Sequence, residues 1–289
     1  IYNLKIFDPA CGSGNFLIIS YKELAKLEVL IFKELQKINK LKWSIAVSGI
    51  KLNNFYGIEI SNHACEITKL SMWLSEHQMN RYFEEVFGRT KPSLPLQNLE
   101  NIINENATRL NWLNVCKKSP KENVCILGNP PYLGGKKLST EQKQDMISAG
   151  LSNMLQLDYI GCWFVKAANY IQETNSRCAF VSTSSICQGE QVHLLWNYIL
   201  NKKLEIFYAH IPFKWSNSAR GQAGVFCIIV GLRNTTTSKD KFIFDDDKKN
   251  KVKNISPYLI EGPSVLVTPQ KKKYFKTSNN DNGIKSCGW

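Results

Sequence analysis

The sequence has no pair of cysteines at Cys-x-x-Cys spacing, although it carries nine, at positions 11, 65, 116, 125, 162, 178, 187, 227 and 287. None clusters with the four histidines. Neither a zinc site nor a disulfide framework is indicated, so no metal is expected and the thiols read as reduced and mostly buried. No apolar run reaches the ~18 residues of a membrane span, and the first residues lack a signal-peptide pattern. A cytoplasmic protein without a membrane partner is expected. Acidic residues are scarce, 24 Asp and Glu against 37 Lys and Arg, giving a formal charge of +13. That excess favours a phosphate backbone as partner, while also fitting ribosomal, membrane-surface or merely soluble proteins. An initiator Met is missing too. Beginning at Ile1, directly at a strand, the chain reads as a piece of a longer polypeptide whose flanks hold other activities. What remains, 289 residues with 43% hydrophobic, is enough for one large domain and an appendage.

The most informative residues present are Asn129-Pro130-Pro131-Tyr132, which close the apolar run Val124-Cys125-Ile126-Leu127-Gly128. An Asn oxygen accepts a hydrogen bond from an amine, and a residue preceding proline is pushed toward extended backbone, where carbonyls point outward. Two acceptors can thus converge on one nitrogen, with Tyr132 offering a face for a flat heterocycle. Alone, the tetrapeptide is also an ordinary proline-rich turn. A second element weighs against that. Leu4-Lys5-Ile6-Phe7 reads as a strand, and Asp8-Pro9-Ala10-Cys11-Gly12-Ser13-Gly14-Asn15-Phe16 as a loop opening a long helix. Gly12 and Gly14 let backbone approach a ligand closely, whereas Asp8 repels a pyrophosphate. The ligand expected there is cationic or zwitterionic.

Onward, residues 17–38 carry Leu24, Leu27, Ile31, Leu35 and Ile38 at helical spacing, which predicts a core-facing stripe. Phe55 to Ile60 reads as a second strand ending at Glu59, an acid placed to accept from ribose hydroxyls or simply to face solvent. A helix follows through Cys65, Leu70, Trp73 and Leu74, then a loop with Pro92 and Pro95. A third strand at Ile102-Ile103 runs into Asn106, which suits either an adenine contact or a polar turn. Residues 134–152, rich in Lys, Gln, Gly and Ser, read as a mobile loop over the site. Beyond them come a helix at 158–171, a strand at 177–182, a helix at 190–200 and strands at 204–211 and 224–231. Alternating strands and helices imply a mostly parallel sheet covered on both faces. The last two strands lack an intervening helix and form an antiparallel edge hairpin, with Phe213 and Trp215 at its tip to stack on a base or to cap the core.

The loop 8–16 and Asn129-Pro130-Pro131-Tyr132 resemble the cofactor and catalytic motifs of amino-methylating DNA methyltransferases. The stretches at 19–24, 157–164, 180–191 and 213–221 are similar to the MmeI-like type II restriction-modification enzymes, over about residues 1–268. The resemblance implies a Rossmann-like class I methyltransferase fold that uses S-adenosylmethionine to methylate N6 of adenine in double-stranded DNA, in a bacterial cytoplasm. Cofactor contacts then fall to Asp8, Ala10, Gly12, Gly14, Phe16, Glu59, Ile60 and Asn106. Asp8 meets the cofactor's amino group and Glu59 its ribose. Asn129 and Pro130 grip the target amine, with Pro131 beside them, and Tyr132 stacks on an adenine flipped out of the duplex. No metal is required. No Pro-Cys dipeptide occurs, which counts against a covalent cytosine mechanism.

By the same resemblance, residues 1–233 form the methyltransferase domain, 234–268 extend the sheet or lead into target recognition, and 269–289 are a polar tail, disordered or truncated. Nuclease and recognition regions are expected in the full polypeptide. A cofactor motif that normally precedes the Gly loop has no room in seven residues, so weak cofactor binding is expected. Methylation of an RNA or glutamine amine on the same fold, or a noncatalytic DNA-binding module, are the alternatives.

Overall fold

The computed structural model describes residues 1–38, 48–88, 99–119, 122–215, 225–237 and 240–267. The Pro92 and Pro95 loop, the Trp215 side chain and the 269–289 tail lie outside the described residues. Among the described residues nine strands form one sheet in the order β3-β2-β1-β4-β5-β7-β6-β8-β9. These are β1 (Leu4–Asp8), β2 (Phe55–Glu59), β3 (Ile102–Asn104), β4 (Asn123–Gly128), β5 (Arg177–Thr183), β6 (Leu204–Trp215), β7 (Val225–Asn234), β8 (Lys241–Asp245) and β9 (Lys248–Val252). From β3 to β5 every pairing is parallel. β7 runs antiparallel between β5 and β6. The doubly wound sheet and its antiparallel edge are those expected from the sequence, but the edge is larger than one hairpin. β8 joins β6 in parallel and β9 closes the sheet antiparallel.

Side chains alternate between two cores, as a strand period of two requires. Phe7, Ile58, Val124, Ile126 and Phe180 enter the larger core, which is filled by α5 (Gly161–Ile171). In that helix only Lys166 and Asn169 escape burial. Ile6, Phe55, Cys125 and Leu127 face the other side, beneath α1 (Asn15–Lys37) and α2 (Asn62–Phe87). Glu205 on β6 joins three strands by accepting from Arg233 Nε of β7 at 2.7 Å and Lys241 Nζ of β8 at 2.8 Å. Lysines along the exposed β9 discourage a further strand from pairing there.

Four expectations need correction. The buried face of α1 is Leu17, Tyr21, Ala25, Glu28, Val29 and Phe32, whereas Leu27, Ile31 and Ile38 are exposed. Two apolar stripes share this helix, and the aromatic one wins because Tyr21 packs on Phe55 and Phe32 on Phe83. Residues 134–152 are not a loop, since α4 (Thr140–Ser148) occupies their middle. Its start is fixed by a capping box: Gln142 N donates to Ser139 Oγ at 3.1 Å and Ser139 N to Gln142 Oε1 at 3.0 Å. The helix expected at 158–171 begins only at Gly161, and the one expected at 190–200 contains a π-helical turn at Val192–Trp196.

Ser139→Ala should lower stability by about 0.5–2 kcal/mol, measured by urea unfolding, and should move α4 relative to the cleft that it borders.

Candidate active site

The carboxyl ends of β1 and β4 meet where the chain order of the sheet reverses, the position at which doubly wound sheets bind ligands. β1 ends in Asp8, which has no solvent exposure, and β4 ends in Gly128 beside it. A Cβ at 128 would lie 2.5 Å from Asp8 Oδ1. Only glycine therefore leaves room for the carboxylate. Asp8 Oδ1 accepts from Ala10 N at 3.0 Å, while Oδ2 has no hydrogen-bond partner. Burial pushes this carboxyl up to about 7, the Glu59 charge adds to the rise, and the Ala10 amide opposes it.

The loop after β1 is held from several sides. Cys11 N donates to Ile58 O at 3.1 Å, Thr68 Oγ1 to Gly12 O at 2.7 Å, and Trp163 Nε1 to Pro9 O at 3.0 Å. Gly14 has a φ of 87°, and a Cβ there would meet Thr68 Cγ2 at 2.8 Å. Glu59 ends β2 and bridges to this loop, accepting from Gly12 N at 2.9 Å and from Ser61 N at 2.8 Å. Each carboxylate oxygen keeps a further lone pair for a ligand hydroxyl.

A cavity of about 730 Å³ opens beside these residues, and Ala10, Glu59, Ile60, Asn106, Asn129 and Pro131 line it. Asp8 at the end of β1, Gly12 and Gly14 in the loop after it and Phe16 in the first turn of α1 are not part of the wall. The Asn129 side-chain oxygen is buried and unpartnered. Pro130 is buried, and Tyr132 packs partly buried against the main core with its hydroxyl 3.9 Å from Cys227 Sγ. Phe213 sits within β6 rather than at a hairpin tip, its ring 4.8 Å from that of His210, and it does not line the cavity.

Further lining comes from α4 and its cap, the turn before α5 and α5 itself, through Ser139, Glu141, Gln142, Asp145, Tyr159 and Trp163. Asp145, 3% exposed, accepts from Arg109 Nε at 2.6 Å, Asn106 Nδ2 at 3.2 Å and the Tyr159 hydroxyl at 2.6 Å. Asn106 Oδ1 in turn accepts from Thr108 N and Oγ1. None of this wall was identified from sequence. Ser139-x-x-Gln142 was a readable helix start, whereas nothing local marks Asp145 or Tyr159.

Two buried acceptors without donors, Asp8 Oδ2 and Asn129 Oδ1, thus stand at the ends of neighbouring strands. Such atoms are costly unless a ligand supplies donors. A zwitterionic cofactor with an ammonium group fits Asp8. An amine fits Asn129. Among the described residues there is no group of three His, Cys, Asp or Glu able to hold a metal ion, and no helix long and apolar enough to cross a membrane.

Asp8 holds a proton more tightly in the folded state than in the unfolded chain, because its folded pKa of about 7 lies above the ordinary 3.8. Its contribution to stability is full below the lower value and is lost as pH rises through the higher one, by up to about 1.4 kcal/mol per pH unit. Without cofactor, Asp8→Asn should therefore gain thermal stability relative to the wild type as pH is raised from about 5 to about 8. Parallel melting curves for the two proteins across that range would exclude the strained carboxylate.

The model of the MmeI DNA-methyltransferase domain matches residues 1–245. DNA methyltransferase A of Bacillus subtilis (strain 168) is 44% identical over 98% of this chain, which covers 33% of that protein. A solved structure of the Type IIL restriction-modification enzyme MmeI in complex with DNA superposes with a TM-score of 0.85 at 37% identity, over 96% of this chain and 38% of that one. The type IIG restriction endonuclease BpuSI shares the fold alone, with a TM-score of 0.52 at 14% identity over 85% of this chain and 24% of its own. The chain thus spans about a third of the length of the first two relatives. With most of its length matched and the switch-point cleft built from the matched residues, the chain belongs to the MmeI DNA-methyltransferase domain family.

Proposed function

We propose that this chain is the modification part of a restriction-modification enzyme, methylating the exocyclic N6 of an adenine flipped out of double-stranded DNA in the cytoplasm. The observation that carries the reading is the buried, unpartnered oxygen of Asn129, a residue that lines the cleft, beside the neighbouring strand end where buried Asp8 Oδ2 also lacks a partner. S-adenosylmethionine supplies an electrophilic methyl group on a sulfonium, which leaves as a neutral thioether.

Asp8 Oδ2 receives the cofactor's ammonium, and Glu59 its ribose hydroxyls. Ala10, Ile60 and Asn106 border the adenosine, while Gly12 and Gly14 shape the loop after β1 and Phe16 the start of α1. Asn129 Oδ1 and the Pro130 carbonyl each accept one proton of the target amine. So held, the nitrogen turns its lone pair toward the methyl group, and in-line transfer needs no strong base because the N6 proton is lost once the new bond makes it acidic. Pro131 walls the approach and Tyr132 stacks on the displaced base. The +13 charge supports a polyanionic partner. Nuclease and target-recognition regions belong to the remainder of the polypeptide. Family membership favours DNA over an RNA or glutamine amine, and turnover distinguishes the enzyme from a binding module.

Asn129→Ala should lower methyl transfer to DNA by more than about 100-fold while calorimetric affinity for S-adenosylmethionine changes less than about twofold. Undiminished transfer in that variant would sink the amine grip. Tyr132→Ala should weaken capture of the flipped base by about 1–3 kcal/mol, read with a 2-aminopurine target.

A further inference from the structure

Asp158 belongs to none of the residues so far given a role. It lies in the turn before α5, is 5% exposed, and burial raises its carboxyl above the usual carboxylate range. Its Oδ1 accepts from Leu133 N at 2.8 Å and Ile160 N at 3.3 Å, and its Oδ2 is 3.5 Å from Ser185 Oγ. Tyr159 N donates to Leu133 O at 2.9 Å. Leu133 directly follows Tyr132. Both backbone polar groups of that residue are therefore fixed by two consecutive residues of one turn.

The same turn reaches the rest of the cleft. The Tyr159 hydroxyl donates to Asp145 Oδ2 of α4 at 2.6 Å, and Trp163 Nε1 to Pro9 O at 3.0 Å in the loop after β1. One rigid segment thus sets the separation between the loop that holds the methyl donor and the loop that holds the acceptor amine. A buried carboxylate is an expensive way to satisfy two amides and a hydroxyl. Its charge makes the bond to Leu133 short and directional, which a turn without such a demand would not need.

We propose that Asp158 is a positioning residue for methyl transfer, holding Asn129-Pro130-Pro131-Tyr132 in register with the cofactor cleft through the Leu133 backbone. The proposal rests on the function proposed above. It assigns Asp158 no contact with cofactor or base.

The test is transfer of tritiated methyl from S-adenosylmethionine to long unmethylated phage DNA by the complete polypeptide, with cofactor affinity measured separately. Asp158→Ala should lose about 10–100-fold in kcat while the Kd for S-adenosylmethionine changes less than about twofold. Asp158→Asn, whose oxygen still accepts from Leu133, should retain most of the rate. Should the alanine variant not fold, Asp158→Ser, too short to reach Leu133, carries the same expectation. An unchanged kcat in the alanine or serine variant, cofactor affinity lost in step with kcat, or an asparagine variant as slow as alanine would overturn the positioning role. Wild-type protein that transfers no methyl group would instead overturn the proposed function, and this inference with it.

Discussion

The site depends on one constraint, the burial of a carboxylate at the switch point of a parallel sheet. Asp8 has no exposure and one unpartnered oxygen, and it is admitted only because its neighbour on β4 is Gly128. A buried charge lacking partners is disfavoured, so the apo protein keeps this group partly neutral near pH 7. A ligand bringing a cation relieves the strain. In the function proposed above, this carboxylate favours a cationic or zwitterionic ligand over a pyrophosphate, even though the Gly loop and helix belong to a nucleotide-binding architecture.

Around that carboxylate the site is assembled from elements distant in sequence. Glu59 joins β2 to the Gly loop, Thr68 of α2 and Trp163 of α5 hold the same loop from opposite sides of the sheet, and Asp145 ties α4 to the segment after β3. Polar networks in a low dielectric are rigid when satisfied. Here almost every member is satisfied internally, and the exceptions are Asp8 Oδ2 and Asn129 Oδ1, the two atoms proposed above to meet ligand amines. That contrast describes a preorganised frame with two unpaired buried acceptors, of which Asn129 Oδ1 belongs to a residue of the cavity wall.

The antiparallel end of the sheet serves a different need. β7 and β6 carry the sheet past β5, and the buried Glu205 with its two cations locks β8 onto them. Cys227 of β7 lies against the Tyr132 hydroxyl, so this end also backs the amine loop. The lysine-rich β9 leaves the outer edge charged, which suits both solubility and a polyanionic surface.

The sequence by itself determined the parallel strands β1 to β5, the edge hairpin, the loop 8–16, Asn129-Pro130-Pro131-Tyr132 and the strand-end Glu59, because strand period, glycine and proline act locally. It did not determine which stripe of α1 is buried, since Leu27 and Ile31 are as apolar as Val29 and Phe32 and only Phe55, Phe83 and Phe87 decide between them. The capping box at Ser139 was legible, yet its polar surroundings read as loop. Asp145, Asp158, Tyr159 and Trp163 could be found only in three dimensions. Their partners are Arg109, Leu133 and Pro9, up to 154 positions away, and a hydrogen bond across that separation leaves no local pattern in the chain.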